Sequence, residues 1–368
     1  MTANTGDFRK VRLASAVDSF GTGMVAGTVA VLVATREGLG ALGLILSVRI
    51  VAALGYSIWA RYATRGTGEL RHKTHAPAVI LMVLSSVFSL ATAVAGSPTW
   101  LMMLAYFAVA TTNSAAGLHI SVRAPHEAYL LGAQNAGALA VASSLAAIVY
   151  AVGGGGVLLG VGVVVAVAQL TEIPLLRSVQ IDSAQKDTNG GSSWRWGLLA
   201  FAVSAVSYGP LALAGGIVAR EFSPAWVAPA LLSYAAASLV SVRIGSRYKG
   251  VPLWMLGVWM FVANLANVLV LVGVYAYIIG RLLVSVLMYT VDGTLRVRAF
   301  AIGGTRALVA VGVGGSAGVA VAIVSFGYVA EHVSVPGAAL WFAGAALGMA
   351  AILRTRAVRS LFTADTSR

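Results

Sequence analysis

Apolar stretches of about twenty residues recur along the whole chain, and each is as long as a helix that crosses a membrane. Short polar segments separate them, and only 10% of the 368 residues are charged. A soluble domain carries roughly 25% charged residues, so this chain has too few to cover a water-facing surface. The sequence therefore predicts an all-α integral membrane protein.

We predict twelve transmembrane helices in two six-helix bundles. The polar stretch at 178–195 separates the bundles, which comprise residues 1–177 and 196–368, and its composition is typical of a flexible cytoplasmic linker. The predicted helices span 11–34, 38–60, 76–96, 99–119, 128–151, 154–176, 197–219, 223–243, 252–273, 275–292, 300–326 and 336–353.

Lys and Arg are concentrated in alternate gaps between these helices. They lie at the N-terminus, in the even-numbered gaps and in the C-terminal tail, whereas the odd-numbered gaps hold only Arg36 and Arg220. Because positively charged loops stay on the cytoplasmic side, both termini are predicted to be cytoplasmic, in a cell membrane. The same rule explains the net charge of +13 without a nucleic acid partner. The excess of Arg over Lys, with much Ala, Gly and Val, indicates a GC-rich bacterial genome.

Two loops at corresponding positions share the pattern Arg, apolar, small, hydroxyl, Arg. They occupy residues 61–65 and 243–247, and their first residues are 182 positions apart, close to half of the 368-residue chain. A six-plus-six repeat of this kind is typical of secondary transporters, in which two bundles rock about a central site. The predicted gating residues of the two loops are Arg61, Thr64, Arg65, Arg243, Ser246 and Arg247.

A family resemblance follows from these segments. Residues 12–23 (RLASAVDSFGTG) are similar to the start of the first helix in bacterial drug-efflux members of the major facilitator superfamily. Residues 60–65 resemble that family's signature loop, Gly-Arg-Leu-Ala-Asp-Arg-x-Gly, and the second loop matches it equally well. The signature Asp, which in the family helps to hold the bundles together on the cytoplasmic side, is replaced here by Thr64 and Ser246.

The resemblance implies a monomeric, proton-coupled secondary transporter that exports a small amphiphilic compound and needs no cofactor. No phosphate-binding loop, zinc-protease motif or nucleophile elbow is present in the sequence, so an enzyme is not expected. Two alternatives stay open. The first is an importer of a small anionic solute, which Arg49 and Arg281 would favour. The second is a non-transporting membrane partner protein, which the loss of the signature Asp would allow.

Charged residues inside predicted helices are candidates for proton coupling or substrate binding, because charges are costly in a membrane. Asp18, Arg49 and Arg281 meet this criterion, and a structural pair between Asp18 and Arg49 is the alternative. We expect Glu172 and Asp292 to lie at the membrane interface instead, because both are close to helix ends.

Other polar residues carry weaker predictions. The side chains that either line a cavity or hydrogen-bond between helices are Asn113, Gln134, Asn135, Asn264 and Asn267. Gly314 and Gly318 have the spacing of a close helix contact. The five histidines lie in loops or at helix ends and are expected to be solvated, without a metal site: His72, His75, His119, His126 and His332.

Overall fold

The computed structural model describes residues 5–48, 74–121, 128–179, 193–245, 252–355 and 362. Every element within these ranges is helical, which confirms the all-α prediction. Most of the predicted linker at 178–195 falls outside them. The candidate residues that also fall outside the described ranges are Arg49, Arg61, Thr64, Arg65, Ser246 and Arg247.

The described residues form thirteen α-helices with three short 3-10 turns. The turns are Gln169–Thr171, Pro224–Trp226 and Ala266–Leu271. The helices are α1 Thr5–Arg36, α2 Gly38–Ser47, α3 His75–Ala95, α4 Thr99–Ser121, α5 Ala128–Ala168, α6 Glu172–Arg177, α7 Ser193–Ala205, α8 Tyr208–Ala212, α9 Ala214–Glu221, α10 Val227–Gly245, α11 Leu253–Leu265, α12 Val274–His332 and α13 Val335–Arg354.

Seven helical segments of the described part are long and apolar enough to cross a membrane. Their outer faces carry large apolar side chains such as Leu84, Val164 and Leu340, which are 61%, 70% and 55% exposed and suit contact with lipid. The twelve crossings and the two six-helix bundles stay predictions. The seven spans are Asp7–Arg36, His75–Ala95, Gly137–Arg177, Leu253–Leu271, Val274–Arg296, Ala310–His332 and Val335–Arg354.

Glycines end or interrupt helices close to the predicted boundaries. Gly96 follows α3 with a left-handed φ of 66°, and its N–H closes the last turn on the carbonyl of Ala93. Gly154, with a φ of 68°, interrupts the helical backbone of α5 at the predicted junction between helices at 128–151 and 154–176. A residue without Cβ adopts this conformation at little cost, so both glycines explain where the chain changes direction.

Three predicted ranges were wrong in detail. Helices predicted separately at 275–292 and 300–326 are joined in the continuous helix α12, where Asp292 and Arg296 form a 2.7 Å ion pair one turn apart. The helix predicted at 197–219 is instead divided into α7, α8 and α9. Pro210 lies in the middle of this segment, and it lacks the N–H that a continuous helix would use.

We call the part of the chain before residue 180 the first half and the part after residue 192 the second half. The two halves pack together where α1 ends. Gly216 of α9 lies against Ala34, Leu39 and Leu42, and a Cβ at Gly216 would collide with them. Gly327 of α12 similarly faces the backbone of Leu39. The largest apolar cluster therefore contains residues of both halves.

The other end of the molecule, where α1 begins, is organised differently. One apolar cluster there combines Val11, Ala14 and Leu176, all from the first half. A separate cluster, which includes Trp196 and Leu353, draws only on the second half. Among the described residues, the apolar clusters at this end are therefore built within each half.

Candidate functional site

Asp18 lies in α1 and is buried, with 7% of its surface exposed. Its backbone carbonyl accepts hydrogen bonds from Thr22 Oγ1 at 3.0 Å and from Gln169 Nε2 at 3.2 Å. Its carboxyl Oδ1 is buried without a hydrogen-bond partner. The neighbouring polar groups thus fix the backbone of Asp18 and leave the carboxyl group itself unsatisfied.

Glu172 begins α6 and is fully buried within the protein, and its position at the membrane interface stays a prediction. Both of its carboxyl oxygens lack a hydrogen-bond partner. Gln169, three residues earlier, bonds to the Asp18 carbonyl and so brings the start of α6 against α1. We call Asp18 and Glu172 the acid pair.

Gly21 makes this arrangement possible. A Cβ at this position would overlap the side-chain amide of Gln169, so the absence of a side chain in α1 leaves the room that Gln169 occupies. Within the described ranges, neither member of the acid pair forms an ion pair. Arg49, which we predicted as a partner of Asp18, lies outside those ranges.

A groove of about 520 Å³ runs beside the acid pair. Val17 and Thr171, the sequence neighbours of Asp18 and Glu172, line it together with Leu13 and Leu175. Lys10 lies at its edge, where Nζ donates a 2.8 Å hydrogen bond to Ser178 Oγ. Asp18 and Glu172 themselves are not among the residues that line the groove.

His75 and His119 are buried rather than solvated, which corrects the prediction for these two histidines. Their ring centroids are 5.1 Å apart, and Thr74 Oγ1 lies 3.4 Å from His119 Nε2. Ile173, the residue after Glu172, packs against a small apolar cluster on the neighbouring turns of α3 and α4. Two pairs of titratable side chains therefore lie in the same part of the first half.

The predicted polar residues of the first half bond between helices. Asn113 Oδ1 accepts from Thr22 at 2.7 Å, and Asn135 Oδ1 accepts from Ser15 at 2.7 Å. The remaining residue, Gln134, accepts from Arg12 Nε at 2.9 Å and donates to the Arg12 carbonyl at 2.8 Å. These bonds tie α1 to α4 and α5, and a cavity-lining role stays a prediction.

Arg281 is fully buried in the second half. Its Nη1 donates a 2.7 Å hydrogen bond to Asn267 Oδ1, and its Nη2 bonds to the hydroxyl of Tyr234. The guanidinium carbon lies 5.2 Å and 5.9 Å from the ring centres of Tyr234 and Tyr277. Asn264 lies next to this group and donates a 2.8 Å bond to the Val206 carbonyl.

The two tyrosines are functional candidates that sequence reasoning missed. Tyr277 precedes Arg281 by one helical turn, so this signal was present in the sequence. Tyr234 belongs to a different helix, α10, and only the folded chain brings it to Arg281. We call Arg281, Tyr234, Tyr277, Asn264 and Asn267 the arginine cluster.

The structure describes little of the predicted gating loops. Arg243 lies in the last turns of α10. No three His, Asp or Glu side chains of the described ranges converge as a metal site would require.

A polar junction joins the halves where α1 ends. Glu331 of α12 accepts a 2.6 Å bond from Arg220 Nη1 and a 2.9 Å bond from the backbone N–H of Leu39 in the first turn of α2. Gly38 has a φ of 91°, and a Cβ there would collide with the Glu331 carboxyl group. A cleft of about 480 Å³ lies over this junction.

The sequence matches no protein-family model, and it matches no curated protein. Solved structures with a similar fold were found across nearly the whole chain. A bacterial homologue of the human lysosomal transporter Spinster, in an inward-facing and occupied conformation, has a TM-score of 0.70 and 13% identity over 97% of this chain and 98% of its own. The same homologue in an inward-facing and unoccupied conformation has a TM-score of 0.62 and 14% identity, and the match covers 98% of each chain.

The nucleoside transporter NupG has a TM-score of 0.66 and 12% identity over 98% of this chain and 100% of its own. Both structural neighbours are transporters of the major facilitator type. The match spans both halves of the chain, in agreement with the fold that the resemblance of residues 12–23 to this superfamily implied. The chain therefore has the fold of the major facilitator transporters.

Proposed function

We propose that this chain is a proton-coupled secondary transporter that works by alternating access. The observation that carries the proposal is the acid pair, two buried carboxyl groups on contacting helices, neither of which has an ion-pair partner in the described part of the chain. Intramembrane carboxyl groups of this kind serve as proton carriers in transporters. The fold of the solved transporters above supports the same conclusion.

Two neighbouring carboxylates in an apolar environment repel each other, so the pair is more stable when it holds a proton than when both members are charged. His75 and His119 add a second titratable pair nearby. Proton binding and release would thus occur in the first half.

The junction of Glu331 with Arg220 and Leu39 closes one end of the molecule. At the other end the apolar clusters are built within each half, as expected of a conformation open to that side. By the positive-inside rule, the positive charge of the N-terminal segment favours a cytoplasmic location for this side. The conformation is then inward-facing, and the Glu331 junction is the closed outer gate.

The remaining parts of the proposal come from the sequence. They are two six-helix bundles, residues 1–177 and 196–368, a monomer in the bacterial cell membrane, and export of a small amphiphilic compound. The structural neighbours, a nucleoside transporter and a homologue of a lysosomal transporter, support a small-molecule substrate. The second candidate, an importer of an anionic solute, is favoured by the buried Arg281.

Proton coupling is testable in proteoliposomes that enclose a pH-sensitive dye. Ethidium and 1-naphthalenesulfonate are suitable probes, because these permanently charged amphiphiles carry no proton across the lipid themselves. We expect at least one probe to cause a protein-dependent pH change that Asp18→Asn and Glu172→Gln abolish. Asp7→Asn is the matched control, since Asp7 lies in the same helix but pairs with Lys10 on the surface.

No protein-dependent pH change with either probe would contradict the proposal, and so would a full response in Asp18→Asn. Retention of a co-purifying protein in the absence of any flux would favour the non-transporting partner instead.

A further inference from the structure

The arginine cluster contains a buried positive charge that the described part of the chain leaves uncompensated. Arg281 has no exposed surface, and none of the described ion pairs includes it. Its hydrogen-bond partners are neutral groups, the hydroxyl of Tyr234 and the amide of Asn267. Burying a charge without an ion-pair partner is costly, so a negative charge from outside the protein would stabilise Arg281.

The cluster also holds unused hydrogen-bonding capacity. Arg281 uses Nη1 and Nη2 for the bonds to Asn267 and Tyr234, whereas its Nε has no partner. The hydroxyl of Tyr277 and Oδ1 of Asn264 are likewise buried and unsatisfied. Nε and the neighbouring Nη group of a guanidinium form the planar fork that binds a carboxylate through two parallel hydrogen bonds.

The surroundings of this fork are aromatic. The guanidinium carbon lies 5.2 Å from the ring centre of Tyr234 and 5.9 Å from that of Tyr277. Tyr234 packs with Ala140 of the first half, so the cluster borders the surface along which the two halves meet. A transported compound would reach it from between the halves, with its charged end at Arg281 and its apolar body along the aromatic rings.

We propose that the arginine cluster binds the carboxylate of a small amphiphilic organic acid, which is the transported compound. This proposal rests on the proposed transport function and names the class of substrate. Arg281 forms the two-bond fork, the hydroxyl of Tyr277 donates a further hydrogen bond, and Asn267 holds the guanidinium in place.

Binding can be measured on the full-length protein in nanodiscs of zwitterionic lipid, which exclude anionic headgroups as a source of the charge. The readout is the thermal unfolding temperature, and the probes are benzoate and octanoate, each compared with its neutral amide. We expect the carboxylates to raise the unfolding temperature saturably and the amides to have no effect. Sodium chloride and inorganic phosphate at equal ionic strength test whether small inorganic anions suffice.

Variants identify the site. We expect Arg281→Gln to abolish carboxylate binding and Arg281→Lys to weaken it roughly tenfold, because lysine keeps the charge but lacks the fork. Tyr277→Phe keeps the packing and should weaken binding about fivefold through loss of one hydrogen bond. Arg296→Gln is the matched control, since Arg296 lies in the same helix and pairs with Asp292.

Three results would each overturn the proposal. The first is equal stabilisation by the amides, and the second is saturable stabilisation by chloride or phosphate alone. The third is unchanged carboxylate binding in both Arg281→Gln and Tyr277→Phe. The proton-flux assay separates this failure from a failure of transport. Flux that depends on Asp18, without carboxylate binding, would overturn the substrate class and leave transport standing. Carboxylate binding without flux would confirm the site and contradict coupled transport.

Discussion

At the scale of single residues, the properties of the acid pair come from its surroundings. Gln169 occupies the space that Gly21 leaves, and its amide bonds to the backbone of Asp18 instead of the carboxyl group. Glu172 is buried and receives no hydrogen bond on either oxygen. The polar groups therefore position the two carboxyl groups but do not neutralise them.

Protonation of the acid pair is directly measurable. In the infrared spectrum at neutral pH, we expect absorption from a protonated carboxyl group that the double substitution Asp18→Asn with Glu172→Gln removes. The physical reason is the cost of burying a charged carboxylate in an apolar environment, to which repulsion between the two carboxylates would add. A double substitution of the exposed Asp7 and Asp292 to Asn should leave the band unchanged. An unaltered band in the Asp18 and Glu172 variant would show that the pair holds no proton.

The sequence identified only one member of this pair. Asp18 interrupts an apolar run, so its position within a helix was visible in the pattern. Glu172 lies five residues before Arg177, at the end of an apolar run, and this pattern indicates a helix end near the interface. Its burial depends on contacts with α1 and α3, which are distant in sequence. The same reason explains the buried His75 and His119.

At the scale of helices, glycines of α12 allow a close approach to α7. A Cβ at Gly314 would overlap the backbone of Gly197, and one at Gly318 would overlap the backbone carbonyl of Phe201. The predicted packing role of these two glycines is thus confirmed. Close approach of backbones compensates in a membrane for the weak hydrophobic drive between helices.

Gly314→Ala should destabilise the protein by about 1–3 kcal/mol, because its methyl group meets backbone that has no flexible side chain to move away. The measurement is the unfolding temperature in detergent. Gly312→Ala, two residues earlier in the same helix, is the control, since a Cβ there has no atom within 4 Å. Equal stability of both variants would refute the packing role.

Helix boundaries were predictable where a local signal sets them. The range predicted at 76–96 is observed as His75–Ala95, because Gly96 ends it with a left-handed residue. The division of residues 193–221 into three helices was missed, although Pro210 was visible in the sequence. Proline is tolerated in transmembrane helices where neighbours satisfy the freed backbone groups, so it does not by itself predict a break.

At the scale of the whole molecule, the Glu331 junction links helices of both halves. The carboxylate of Glu331 binds Arg220 and also the first turn of α2, where the helix dipole favours a negative charge. The alternating placement of Lys and Arg predicts a topology that stays a prediction, and nothing local in the sequence marks Glu331. Its partners are 111 and 292 residues away in the chain.

Glu331→Gln should weaken the closed outer gate. The ion pair is about one-third exposed, and exposed pairs contribute roughly 0–1 kcal/mol, so the open population should rise by up to about fivefold. The native chain has no cysteine, so spin labels at Ala95→Cys and Val333→Cys report the distance between the halves. We expect longer distances in Glu331→Gln. Glu37→Gln is the control, because the Glu37 side chain bonds to Thr99 within the first half.

The same pair of labels tests the central claim most directly, because it shows whether the proton on the acid pair controls which end is open. Distances between positions 95 and 333 are measured from pH 5 to pH 9, in the wild type and in the double variant Asp18→Asn with Glu172→Gln. Our account predicts that the wild-type distances shift with pH, whereas the variant, which cannot bind or release the proton, keeps one distribution throughout. A variant that responds to pH as the wild type does would contradict proton coupling through Asp18 and Glu172.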